Sequence, residues 1–132
     1  MNVDRYAPQV YAAFRVVFGF LFLLHGLQKF GMIGGIDGKG GMVAMGTMMG
    51  AAAVIETVGG LLIMIGLFTR PAAFIASGQM ATAYFLAHQP NGGLPIQNMG
   101  ELAVMFCFAF LYICVRGAGA FSADAAMGRQ KA

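Results

Sequence analysis

The stretch GGLLIMIGLFTRPAA, Gly59 to Ala73, decides the fold class. Its first ten residues carry no charge and offer no polar face at any helical angle. Thr69, Arg70 and Pro71 then break the run, and a second apolar segment follows at once. Proline suits the first turn of a helix, where its missing N–H has no intrahelical partner to lose. Two antiparallel, neighbouring helices joined by a very short turn are expected. VMFCFAFLYICV, Val104 to Val115, is likewise apolar all round, so neither segment fits a soluble bundle, which needs one polar face per helix. The whole chain agrees: 132 residues, 59% hydrophobic against 10% charged, with twenty glycines, eleven methionines and no tryptophan. That is a membrane composition, neither soluble, disordered nor collagen-like.

A helical span needs roughly 20 mostly apolar residues to cross about 30 Å of hydrocarbon. Four segments approach that length: residues 7–28, 47–68, 71–88 and 96–115. They predict an all-α protein, a single domain over residues 1–132, built as an integral membrane four-helix antiparallel bundle. No internal repeat is present. The loop from Lys29 to Gly46 is glycine-rich, the loop QPNGGLPIQNMG carries turn signals, and both belong to one membrane face. Arg5, Arg70, Arg116, Arg129 and Lys131 flank the spans on one side, Lys29 and Lys39 on the other. The asymmetry predicts both termini on the cytoplasmic side. Asp4, Tyr6 and Pro8 replace a basic leader, and Arg15 interrupts the first apolar run, so the first helix is expected to be retained rather than cleaved.

The net charge of +3 comes without a basic run or a basic-aromatic stripe, which excludes nucleic acid as a partner. Cys107 and Cys114 lie seven apart in one helix, about 10 Å between Cα atoms, too far to bridge. They read as small apolar residues. Two His and a Glu could make a metal site, but no spaced metal or haem motif is present, and phosphate-loop and nucleophile-elbow motifs are absent too. No metal and no catalytic residue is therefore assigned.

Charges inside apolar spans cost about 2.5 to 3.5 kcal/mol each on insertion scales, so Arg15 and Glu56 require an explanation. Glu56 lies about nine residues into the second helix and Arg15 about eight into the first; because these helices run oppositely, both can reach the middle third, and an ion pair between them is expected. It would either specify the packing of the first two helices or serve ligand or proton handling. Arg15, Gly19, Phe22, Gly26 and Lys29 share one stripe, and Glu56, Gly59, Gly60 and Ile63 another. Gly19, Gly26, Gly59 and Gly60 are the expected helix-packing residues, because small side chains let backbones approach closely in lipid. Gly46 and Gly50 add a further G-x-x-x-G spacing.

His25, Lys29, His88 and Glu101 fall near the outward mouth, with Gln28, Gln97 and Asn98 close by. They are the candidate ligand-binding residues: a polar cup beneath an aromatic and methionine lining suits a quinone-like molecule. The competing reading is that these side chains simply snorkel to the headgroups.

Four ordered motifs resemble the DoxX family of small bacterial membrane proteins across Tyr11 to Asp124: Arg15 with HGLQKFG (His25 to Gly31), ETVGGLLIMIGLFTRPAA (Glu56 to Ala73), GELA (Gly100 to Ala103) and GAGAFSAD (Gly117 to Asp124). Met99 stands where the family often has Gly. The resemblance implies a four-helix, multi-pass protein of a bacterial inner membrane, often labelled an oxidoreductase or a subunit of quinone-linked redox complexes. It carries over Arg15, His25, Lys29, Glu56, Arg70 and Glu101. The function expected is a small subunit of a quinone/quinol-linked oxidoreductase system. Nothing in the sequence supplies a flavin fold, haem motif or iron–sulfur ligand set, so no covalently bound cofactor is expected and a partner would bring electrons. Expected partners are the lipid bilayer, a second copy or a redox subunit. The alternative is a non-catalytic membrane scaffold or assembly factor.

Overall fold

The computed structural model describes residues 1–129. Lys131, counted above toward the orientation, lies outside the described residues. Those described are all-helical; their only β feature is an isolated Gly35–Gly41 bridge. The helices are α1 (Ala7–Lys29), α2 (Met48–Ile65), α3 (Thr69–Ala83), α4 (Pro95–Asn98), α5 (Glu101–Arg116) and α6 (Ala123–Ala126). Two helical stretches, Asp4–Lys29 and Met48–Ile65, are long and apolar enough to cross a membrane.

The four expected segments are helical at their cores and differ from the expectation at their ends. α2 stops at Ile65 because Gly66 takes a left-handed conformation (φ 74°), the favoured close of a helix. α3 already begins at Thr69 and ends at Ala83, and the chain then widens into a π turn, Tyr84–His88. The fourth expected span is interrupted. The short α4 ends at Asn98, the following Met99 is left-handed (φ 61°), and α5 starts only at Glu101. A residue with a Cβ is strained there, and Asn98 holds the corner: its side chain accepts from the Gly100 N–H at 2.9 Å and donates to the Gly92 carbonyl at 3.0 Å.

α1 packs chiefly on α2, α3 on α5, and α2 on α3. One core draws on all four, centred on Phe22, Ile63, Ala73, Ala76, Phe106 and Phe110. The glycine expectations divide. A Cβ on Gly19 would stand 2.5 Å from the Met64 nitrogen, one on Gly26 2.5 Å from the Thr57 nitrogen, and one on Gly60 2.5 Å from the Leu23 nitrogen. These three are where the α1 and α2 backbones touch. Gly59 is not: its Cβ would make only ordinary contact, 3.8 Å from a Phe22 ring carbon. Nor does the Gly46/Gly50 spacing join helices, for Gly46 faces open space and Gly50 lies against the backbone of Met45, five residues before it.

Outward faces of the helices are apolar, with Val17, Phe20, Val58, Phe74, Phe85, Phe108 and Val115 all exposed. In water such a surface would be an aggregation liability; in lipid it is a solvated one.

Candidate functional site

Because α1 and α2 run oppositely, Gly26 lies against Thr57 and Gly19 against Met64, and each step back along α1 is a step forward along α2. This register decides which charges meet. Arg15 falls beside the end of α2, and Glu56 falls beside the end of α1.

The expected Arg15–Glu56 ion pair is therefore not formed. Both residues are buried, as expected, but in separate polar clusters. Arg15 is wholly buried and donates to the Phe121 carbonyl at 2.9 Å and, more loosely, to the Ile63 and Met64 carbonyls at 3.4 Å. These last two belong to the final turn of α2, where orphan carbonyls and the negative end of the helix dipole favour a cation. On the same side, Asp124 accepts from the backbone N–H groups of Phe68 and Thr69 at 3.0 Å, capping α3. Burial disfavours its charged form, but the bonds from Thr69 and Phe68 and the nearby Arg129 outweigh that and hold its carboxyl below the usual value. Arg70, carried over by family motif, donates to the Cys114 and Val115 carbonyls at 2.8 and 2.6 Å, closing the end of α5. This end of the molecule is an anchor.

The opposite end holds a cavity of about 310 Å³ among α1, α2, α3 and α5. Glu56 lines it and is 3% exposed; its Oε2 accepts from Lys29 Nζ at 2.7 Å and its Oε1 from Gln79 Nε2 at 2.8 Å. One buried carboxylate thus ties three helices together. His25 also lines the cavity, its ring set edge-on to Phe106 with centroids 5.8 Å apart. His88 lines it from the π turn, its Nδ1 3.1 Å from the Asn98 carbonyl oxygen. Phe22, Met49, Met80, Leu102 and Phe106 give apolar walls, and Met99 stands at the rim.

Of the candidate ligand residues, the structure brings together His25, Lys29 and His88. Glu101 is corrected: it is exposed at the start of α5 and does not line the cavity, since the inward face of that helix runs through Ala103, Phe106 and Phe110. Glu56 takes its place, and Gln79 is a member that the sequence reading missed. The available signal was the one applied to Glu56, a polar side chain in the middle of an apolar span. Gln28 and Gln97 are exposed, whereas Asn98 is a buried structural hub.

Apolar outer faces around a polar-based cavity define an all-helical membrane protein. The DoxX family model matches residues 10–89, and the chain belongs to the DoxX family. An "Uncharacterized protein" of Haemophilus influenzae is 45% identical over 127 residues, 93% of this chain and 94% of that one. "Putative oxidoreductase CatD" of Bacillus subtilis is 44% identical over 57 residues, 42% of each chain. No solved structure matches.

Proposed function

We propose that this protein is a four-span subunit of a membrane oxidoreductase system in a bacterial inner membrane, with both termini on the cytoplasmic side. Its cavity receives the ring of a quinone-type redox molecule from the outer side. The observation that carries the reading is the Glu56 carboxylate, fixed by Lys29 and Gln79 in the wall of an otherwise apolar cavity. A buried charge in a span is expensive to keep, and such groups mark functional paths more often than passive packing. The volume lies at the low end for ligand pockets, which suits one ring rather than a ring with its tail. Family membership and the name of the Bacillus relative support the redox assignment. α3 with its π turn and α5 would complete the four spans, and Arg5, Arg70, Arg116 and Arg129 at the anchor end support the orientation.

Ala87 is exposed on the π turn and lines the cavity, so Ala87→Trp can close the mouth without entering the core. Protein taken from native membranes into nanodiscs, then extracted with solvent, should release quinone well above the content of empty discs. Ala87→Trp should release only the background. Quinone at background in the unmodified protein would reject the reading.

A further inference from the structure

The loop between α1 and α2 has the composition of the helices it joins. Its sixteen residues from Gly31 to Gly46 include two charges, Asp37 and Lys39, and no neutral polar side chain. A glycine-rich turn in water ordinarily carries Ser, Asn or Thr. Here Met32, Ile33, Ile36, Met42 and Met45 stand exposed instead. Ile33 is the sharpest case. It takes a left-handed conformation (φ 54°) that glycine or asparagine fills easily and a β-branched residue fills only under strain, yet its side chain is mostly exposed. Packing within the protein does not account for an isoleucine at that position.

The loop is also held close to the helix ends. The Val43 N–H donates to the Lys29 carbonyl at 2.9 Å, which brings the chain back to the last residue of α1. The Gly40 N–H donates to the Gly34 carbonyl at 2.8 Å and the Ile36 N–H to the Gly41 carbonyl at 2.9 Å. Asp37 accepts from the Lys39 and Gly41 N–H groups at 2.8 and 2.9 Å. Folded in this way, the loop meets part of its own backbone demand and cannot reach far from the level at which α1 ends. Its apolar side chains thus continue the lipid-facing surface of the helices, on which Met48 and Val54 of α2 are likewise exposed.

We propose that this loop lies in the membrane interface, with its Met and Ile side chains among the acyl chains just below the headgroups and Asp37 and Lys39 in the polar layer. The partner is lipid. The two charges are opposite in sign, so burial of apolar surface drives the contact and no anionic headgroup is required. The inference needs no ligand in the cavity.

The sequence contains no tryptophan, so one introduced into the loop reports alone. Ile36→Trp and Met42→Trp, each reconstituted in phosphatidylcholine vesicles, should lose most of their emission when the acyl chains are brominated near the headgroup, and little to iodide in the water. Loss to iodide without loss to bromine places the loop in water, and loss to neither places it against protein; either result overturns the proposal. Tryptophan itself favours interfaces, so the unmodified protein supplies a second reading. Met1 is 109% exposed and Met32 and Met42 54% each, so exposure alone predicts that chloramine-T, an oxidant confined to water, attacks Met1 about twice as fast. In phosphatidylcholine nanodiscs the ratio should rise to about tenfold, because the loop thioethers are withdrawn from water. A ratio that stays near two overturns the proposal even if neither tryptophan variant folds.

Discussion

Gly59 and Gly60 are neighbours on α2 whose substitution by alanine should act in opposite directions. A methyl on Gly60 would lie 2.5 Å from the Leu23 nitrogen and 2.8 Å from the Gly19 carbonyl oxygen, both backbone atoms that cannot rotate away. Ordinary contact needs about 3.5 to 4.0 Å, so α1 and α2 would have to part by about 1 Å. Gly19 and Gly26 hold the same crossing, and widening it loosens all three contacts. Overpacking of this kind costs about 1 to 3 kcal/mol, and a backbone clash belongs at the upper end. A methyl on Gly59 meets only a Phe22 ring carbon at 3.8 Å. There the helix gains about 0.5 to 1 kcal/mol from replacing glycine. The two variants should differ by about 2 to 4 kcal/mol in stability. Heating each in detergent and following the monodisperse fraction by gel filtration should order them Gly59→Ala, unmodified protein, Gly60→Ala, from most to least stable. Equal midpoints for the two variants, or a lower one for Gly59→Ala, would refute the close-approach account.

The Lys29–Glu56 pair should show coupling. Lys29→Met and Glu56→Gln each leave one polar group short of a partner and should each destabilise by about 1 to 3 kcal/mol, whereas the double variant should cost clearly less than the two together; additive losses in detergent unfolding would show that the pair is not an energetic unit. The Asp124 cap should matter in one pH range only. Because the folded protein holds this carboxyl below its usual value, its stabilisation is complete above about pH 4 and disappears as pH falls through the lower folded value. Asp124→Asn should lower the midpoint at pH 7 by the equivalent of about 1 kcal/mol and abolish that part of the acid decline. An unchanged acid limb in the variant would exclude Asp124 as its source.

The helices were legible because apolar runs and Pro71 speak locally, although the expected second span runs on through Gly66, where α2 has already closed. The contact faces of α1 and α2 were legible too, since Gly19, Gly26 and Gly60 follow helical spacing. The partner of Arg15 was not. A helical stripe gives the direction in which a side chain points, while depth depends on where the neighbouring helix begins. Counting eight or nine residues inward from opposite ends lets both reach the middle third, but the register set where Gly19 meets Met64 and Gly26 meets Thr57 puts Arg15 beside the end of α2 and Glu56 beside the end of α1. Glu101 was misplaced for a related reason. Met99 and Gly100 turn the chain before α5, and one turn of backbone rotates the next helix beyond what spacing alone can follow. Three of the four candidates line the cavity, because His25, Lys29 and His88 sit at helix ends whose side of the molecule the loops already fix.

The bond from Arg15 to the Phe121 carbonyl has a consequence for how the protein is made. Synthesis commits a cation to the first hydrophobic hairpin about a hundred residues before the oxygen that receives it has left the ribosome, a delay of several seconds at ordinary elongation rates. Through that interval the guanidinium of the nascent hairpin has only the looser Ile63 and Met64 carbonyls at the end of α2 to meet it. Arrival of the tail completes the set. A chain cut short before Phe121 would leave this buried guanidinium without its shortest hydrogen bond.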